Sequence, residues 1–223
     1  MKITKQKTIK SQKIKWFLKS SVYRSFKNKN SITNVIENYN FCVCLMEEYN
    51  TLIYDFINDN QKCLNKIEQL TKKCEFLSIK LKVIDKKEFL NYKQELENLS
   101  KEFFYIKLEN NNLSISNQLK TEKIIKQQKS VNASLNILGQ SLEQLKNKND
   151  LFCEDLLVLS ENLIKSWQPK EDLLETYPKI INTKLKILDK KLTNLIVSEN
   201  QKSNNENLNL NNKVYQNNNK QKI

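Results

Sequence analysis

One periodic run constrains this chain more than any other feature. Alternate steps of three and four residues from Ile32 land on Ile32, Val35, Tyr39, Cys42, Met46, Tyr49, Ile53, Phe56, Asn60, Cys63, Ile67, Leu70, Cys74, Leu77, Leu81 and Ile84. Fifteen of these sixteen positions are apolar. Alternation of three and four keeps side chains on one face of an α-helix, and three or four heptads in one register already predict a coiled coil. The expected fold is all-α: a long coiled-coil helical hairpin or a kinked three-helix bundle with disordered tails. Asn60 is the single polar member of the seam. Two readings of it stand side by side: a register-fixing polar residue, or chance in a chain with 32 Asn.

The register slips by one residue near Asp85, Lys86 and Lys87, then resumes at Phe89, Tyr92, Leu96, Leu99, Phe103 and Ile106. A skipped residue suggests local unwinding or a bend, without requiring the helix to end. Glu109 to Asn112 reads as the start of a turn reaching about residue 117. A second periodic segment is clearest at Leu135, Leu138, Leu142, Leu145, Asn149, Phe152, Leu156, Leu159 and Leu163. Pro169 cannot sit inside a helix, and with Glu171 and Asp172 after it, it looks like the first turn of a new one. Pro178 marks a further bend, and Ile181, Leu185, Leu188, Leu192 and Leu195 form the last seam. The expected organisation is a basic arm at 1–30, a helical body at 31–200 and an Asn-rich disordered tail at 201–223. Within the body, helices are expected at about 32–107, 118–167 and 170–199, with the turn at 109–117.

Flanking positions refine this picture. Ile36, Val43, Ile57 and Leu64 on one side, with Leu45 and Leu52 on the other, widen the apolar stripe beyond a two-stranded seam. Such a stripe suits three or four helices. Further on, the flank becomes Lys66, Lys73, Lys80 and Lys87. In a hairpin turning at 109–117, the facing positions would be Ser141, Lys148, Asp155 and Asn162, which offer little acid. Two readings follow: a solvated lysine face, or a ladder facing an acidic helix of another polypeptide. The second predicts that reversing these four charges abolishes a native complex.

The net charge of +13 belongs to the ends of the chain. Residues 1–30 carry nine Lys and Arg24 with no acid, whereas residues 31–200 carry 24 Lys against 24 Asp and Glu. The arm interleaves Lys10, Lys13, Lys15, Lys19 and Arg24 with Trp16 and Phe17. It reads as a solvated tail, a basic amphipathic segment for a membrane or partner, or a mitochondrial-type presequence.

Composition excludes whole classes of chemistry. A single Gly, Gly139, cannot build a glycine-rich phosphate loop. The chain has no His, which removes imidazole bases and His metal sites. Glu47–Glu48 and Glu154–Asp155 are adjacent on helices, so their side chains diverge. No catalytic residue, cofactor or metal is expected. The five cysteines, an odd number at irregular spacing, read as small buried hydrophobes in a reducing compartment. No apolar run approaches the ~18–20 residues of a membrane span.

The expected function is that of a non-catalytic coiled-coil scaffold subunit in a multiprotein assembly. Its partners would be other helical subunits or further copies of itself, met through the seam from Ile32 to Ile84. The alternatives are a peripheral membrane protein anchored by residues 1–30 on an anionic surface, and non-specific nucleic-acid association through the basic tails. The expected setting is the cytoplasm, cytoskeleton or nucleus, or the mitochondrion if residues 1–30 are a presequence.

Overall fold

The computed structural model describes residues 30–85, 87–146 and 154–220, with side chains described at 32–85, 87–146 and 154–204. The described residues form four helices and no strand: α1 (Asn30–Val83), α2 (Phe89–Lys146), α3 (Glu154–Ser166) and α4 (Glu171–Lys220). The fold is all-α, as the periodicity predicts. All sixteen positions of the first seam are buried.

The chain reverses at the register slip and not at the asparagines. α1 ends at Val83 and α2 begins at Phe89, and Asp85 lies in the turn between them. The Asp85 Oδ1 accepts backbone N–H bonds from Lys87 (2.9 Å) and Glu88 (3.1 Å). The carboxylate thereby closes the turn that leads into α2 and sits near the positive end of that helix's dipole. The expected turn at 109–117 is overturned, because α2 runs unbroken through it. Asn costs a helix only a few tenths of a kcal/mol relative to better formers. Here Ile106, Asn117 and Ile124 keep the inner face of α2 buried across the stretch. The helix bounds expected at 107 and 118 fall with the turn.

Pro169 lies in the break between α3 and α4, close to its expected place at a helix start. The indole of Trp167 follows the last turn of α3, which is closed by Trp167 N–H to the Ile164 carbonyl (3.3 Å) and Ser166 Oγ to the Leu163 carbonyl (3.0 Å). Both α3 and α4 begin with two acids, Glu154–Asp155 and Glu171–Asp172, at the end where negative charge is favourable. The expected bend at Pro178 does not divide the chain: α4 is one helix across it. The seam at Ile181, Leu185 and Leu188 follows at once and anchors the helix.

The helices sort into two compact units, and α1 and α2 contribute to both. The first unit comprises residues 30–52, 122–146 and 154–169. There α1 and α2 run antiparallel, tied by Asn38 Nδ2 to Ser141 Oγ (3.0 Å) and by a 2.9 Å Cys42–Ser134 contact. The third member is α3, joined to α2 by Lys146–Glu161 (2.5 Å) and by Trp167 Nε1 to Asn132 Oδ1 (2.7 Å). Trp167 also meets Tyr49 edge-on, with ring centroids 4.9 Å apart.

The second unit comprises residues 53–121 and 170–220. Its third helix is α4. Lys184 pairs with Glu68, and seven residues on Lys191 pairs with Glu75 at 2.5 Å, so α4 runs parallel to α1. Lys107–Asp189 (3.0 Å) and Lys93–Glu199 (3.2 Å) run in opposite senses, so α4 is antiparallel to α2. The result is an up-down-up three-helix bundle. Its apolar cluster extends through Ile67, Leu77, Tyr92, Phe103, Ile181 and Leu192. The wide stripe at Ile36 and Leu64 is buried and at Val43, Leu45, Leu52 and Ile57 half-buried, as three-helix packing requires.

The C-terminal boundary moves as well. Residues 201–204, expected to open a disordered tail, continue α4. Lys202 Nζ donates to the carbonyls of Leu81 (2.9 Å) and Ile84 (3.1 Å). A helix leaves its last carbonyls without intrahelical partners, and α4 supplies a cation to those of α1.

Candidate interaction surfaces

The seam read from the sequence as a partner-binding surface lies inside this chain. Ile32, Val35, Tyr39, Met46 and Tyr49 are buried in the first unit. Ile53, Phe56, Asn60, Ile67, Leu70, Leu77, Leu81 and Ile84 are buried in the second. The helices that cover them are the chain's own, and a partner helix could reach the seam only by displacing one.

Asn60 has a specific role there. Its Nδ2 donates to Asn117 Oδ1 (3.1 Å) and to the Phe56 carbonyl (2.7 Å), while Asn117 Nδ2 donates back to Asn60 Oδ1 (2.8 Å). Both amides are buried, and each is satisfied only when α1 and α2 are aligned at this one step. Any axial slip would strand both in an apolar interior, so the pair fixes register. Beside it, Lys120 holds the Asp59 carboxyl below its ordinary range through a direct hydrogen bond.

The lysine flank is also corrected. Lys66 pairs with Glu109 (2.6 Å), Lys73 with Glu102 (2.6 Å) and Lys80 with Glu95 (2.7 Å). Each step of seven residues toward the turn on α1 is answered by seven in the opposite sense on α2. The acidic helix expected on another polypeptide is α2 of the same chain. Lys87 sits in the turn, where its backbone N–H is bound by Asp85. Lys10, Lys13, Lys15, Trp16, Phe17, Lys19 and Arg24 of the basic arm lie outside the described residues.

Buried Cys42, Cys63 and Cys74 have thiols pushed up by burial, which suits small core residues and not activated thiolates. Cys44 departs from that expectation and is exposed, because it falls between seam positions. Cys153 lies outside the described residues. The Tyr92 hydroxyl is buried without a hydrogen-bond partner, and burial, reinforced by the Glu199 charge, pushes its pKa up to about 12. Glu47, Glu48, Glu154 and Asp155 are all exposed. Glu48 accepts a bond from Gln127 Nε2 (2.8 Å). In the second unit, a groove of about 580 Å³ between α1 and α4 is lined by Cys74, Ser78, Leu81, Lys191, Asn194 and Ser198. Its ammonium, Lys191, is committed to Glu75. Among the described residues, no cluster of three or more Cys, Asp or Glu could hold a metal ion, and no helix is long and apolar enough to cross a membrane.

What the sequence reading missed is on the outside of the second unit. On α1, Phe76, Ile79 and Val83 point outward, Val83 with 80% of its surface exposed. On α2, Phe104 (65% exposed), Leu108 (49%), Ile115 (64%) and Leu119 (56%) share the face opposite the core. These four fall within about 60° of arc on a helix of 3.6 residues per turn. The signal was present as a second periodicity on the same helix, masked by the stronger inner seam. No family model, curated protein or solved structure matches the chain.

Proposed function

We propose that this chain is a non-catalytic helical scaffold subunit of a multiprotein assembly, and that it meets its partners through the outer faces of its bundle while its seam holds its own fold. The observation that carries the reading is the row Phe76, Ile79 and Val83 on α1. Three large apolar side chains one turn apart, left in water beside a completed core, suit an apolar helix of a partner. The four described cysteines are unpaired thiols, which supports a reducing compartment.

The test is affinity purification of the full chain under native conditions at low salt, with quantitative mass spectrometry. The expected result is stoichiometric recovery of helical proteins that is lost in an Ile79→Glu, Val83→Glu variant of unchanged helicity. Equal recovery by that variant, or recovery of the chain with no stoichiometric companion, overturns the reading.

A second reading rests on residues 1–30, whose ten cationic groups and absence of acid would favour an anionic membrane surface. Its mark is binding to vesicles containing phosphatidylserine that disappears when residues 1–30 are deleted. Nucleic-acid association through the tails would instead show affinity that falls steeply with salt and ignores sequence.

A further inference from the structure

The outer face of the single helix α2, from Glu97 to Lys126, carries a pattern that fits a second copy of itself. At its centre, Phe104, Leu108, Ile115 and Leu119 are exposed, and the residues from Asn110 to Leu119 include no charge. The spacing is palindromic about the bond between Asn111 and Asn112. Outward from that centre, one half reads Asn111, Leu108, Phe104, Lys101, Glu97 and the other reads Asn112, Ile115, Leu119, Glu122, Lys126, with identical steps of three and four.

Two such helices laid antiparallel bring unlike residues together at every layer but the central one, where asparagines meet. Phe104 of one copy meets Leu119 of the other, and Leu108 meets Ile115. The two central asparagines lie side by side, where each amide can donate to and accept from its neighbour. At the ends Lys101 faces Glu122, and Glu97 faces Lys126. A parallel arrangement would instead set Lys101 against Lys101 and Glu97 against Glu97, which is unfavourable. The run from Glu97 to Lys126 gives about 44 Å of helix, or four heptads, a length sufficient for a stable helix pair.

We infer that the chain forms a two-fold symmetric homodimer through the outer face of α2, the two helices antiparallel and centred on Asn111–Asn112. This contact uses neither the α1 row Phe76, Ile79 and Val83 nor the arm, so it stands or falls apart from the proposed scaffold role. Lys101 has an intrahelical alternative, Glu97 at 2.8 Å, which lowers the Glu97 carboxyl pKa. In the dimer each of these charges gains a partner across the seam without losing the one on its own helix.

Sedimentation equilibrium of the full chain, over about 1 to 100 µM so as to bracket a micromolar dissociation constant, is the experiment. The wild-type chain is expected to sediment as a dimer that dissociates on dilution. Leu108→Glu should be monomeric throughout with unchanged helicity, because its side chain is outside the core. Lys101→Glu alone should weaken the dimer about tenfold, since two symmetric layers become repulsive. Adding Glu122→Lys to it should restore the wild-type constant. A wild-type monomer at every concentration, a dimer indifferent to Leu108→Glu, or a failure of the second charge reversal to rescue the first would each overturn the inference.

Discussion

The two units are built from the same pair of helices and held together by different means. In the second, α1 and α2 are joined by three ladder ion pairs and by Lys120–Asp59, and α4 adds four more, over a continuous apolar cluster to which no residue of the first unit belongs. In the first, the α1–α2 contacts include hydrogen bonds of uncharged side chains, Asn38–Ser141, Cys42–Ser134 and Gln127 to the Leu45 carbonyl, and one to a carboxylate, Gln127–Glu48, and the buried set includes Gln128, Ser134 and Ser160. Its third helix, α3, has 13 residues. The hydroxyl of Ser160 is buried and makes no hydrogen bond, so it costs free energy there. A long heptad pattern therefore sets the alignment of two helices over their whole length, while the residues that fill it set how firmly each part is held. The first unit is expected to open at lower free energy than the second.

Matched truncations give the largest test of that difference. Leu188 and Leu138 are both fully buried, one in each unit. Leu188→Ala is expected to cost about 4 kcal/mol and Leu138→Ala about 2.5 kcal/mol, the upper and lower parts of the range for such changes. The smaller cost belongs where neighbouring small residues let the site collapse. Denaturant unfolding followed by amide exchange resolves the two, and equal costs would erase the distinction.

Next in size is the buried asparagine pair. Asn60→Leu leaves Asn117 buried with its amide unpaired, at about 2 kcal/mol. Replacing both by Leu should recover most of that loss, since two apolar groups need no partners. What the double variant should lose is uniqueness of alignment, visible as extra amide cross-peaks from α1 and α2. A double variant with a single sharp spectrum would assign register to the salt ladder instead.

That ladder shows how far the sequence could be read. The seam from Ile32 to Ile84 is legible in full, because burial on one helical face leaves a periodicity that codon bias cannot imitate, whereas buried Asn117, Ile124 and Val131 on α2 fall outside the seams read from the sequence. The position of the reversal was not. Asparagines at 110–112 resembled a turn, whereas the structural signal was Asp85 followed three residues later by Glu88, the spacing of an N-terminal capping box. A turn at 109–117 would place Lys66, Lys73 and Lys80 opposite a stretch with little acid and leave them in want of an external partner. With it at 84–88, Glu109, Glu102 and Glu95 come opposite them. The turn lies more than twenty residues before the asparagines, and that shift makes the ladder an intramolecular contact. The outward stripe of α2 stayed hidden for a different reason: a helix with two apolar faces has a weak net pattern when its inner face alone is traced.

The ladder pairs are half-exposed, so each is worth little. Lys73→Glu is expected to cost about 1 kcal/mol at low salt, from one lost pair and one repulsion, and less at 0.5 M salt. Glu102→Lys in the same molecule should restore the native value. Because these three pairs lie in the second unit, whereas the first holds Lys146–Glu161 between α2 and α3, the salt dependence should be larger in the later unfolding step than in the earlier one.

The smallest expected effect asks whether the units open separately at all. Gly139 lies inside α2 in the first unit, and a Cβ built there meets no atom within 4 Å. Gly139→Ala therefore adds no clash and fills no void; it acts on the unfolded chain, whose backbone freedom at that residue is reduced. The expected gain is about 1 kcal/mol. Its location is more informative than its size. If the first unit opens by itself, exchange slows for amides at 122–146 and at 30–52, and those at 53–83 keep their wild-type rates. If α1 and α2 transmit opening along their length, the gain spreads to the amides of the second unit. The first outcome is expected, because the ion pairs and apolar cluster of the second unit can hold 53–121 helical while the first unit frays.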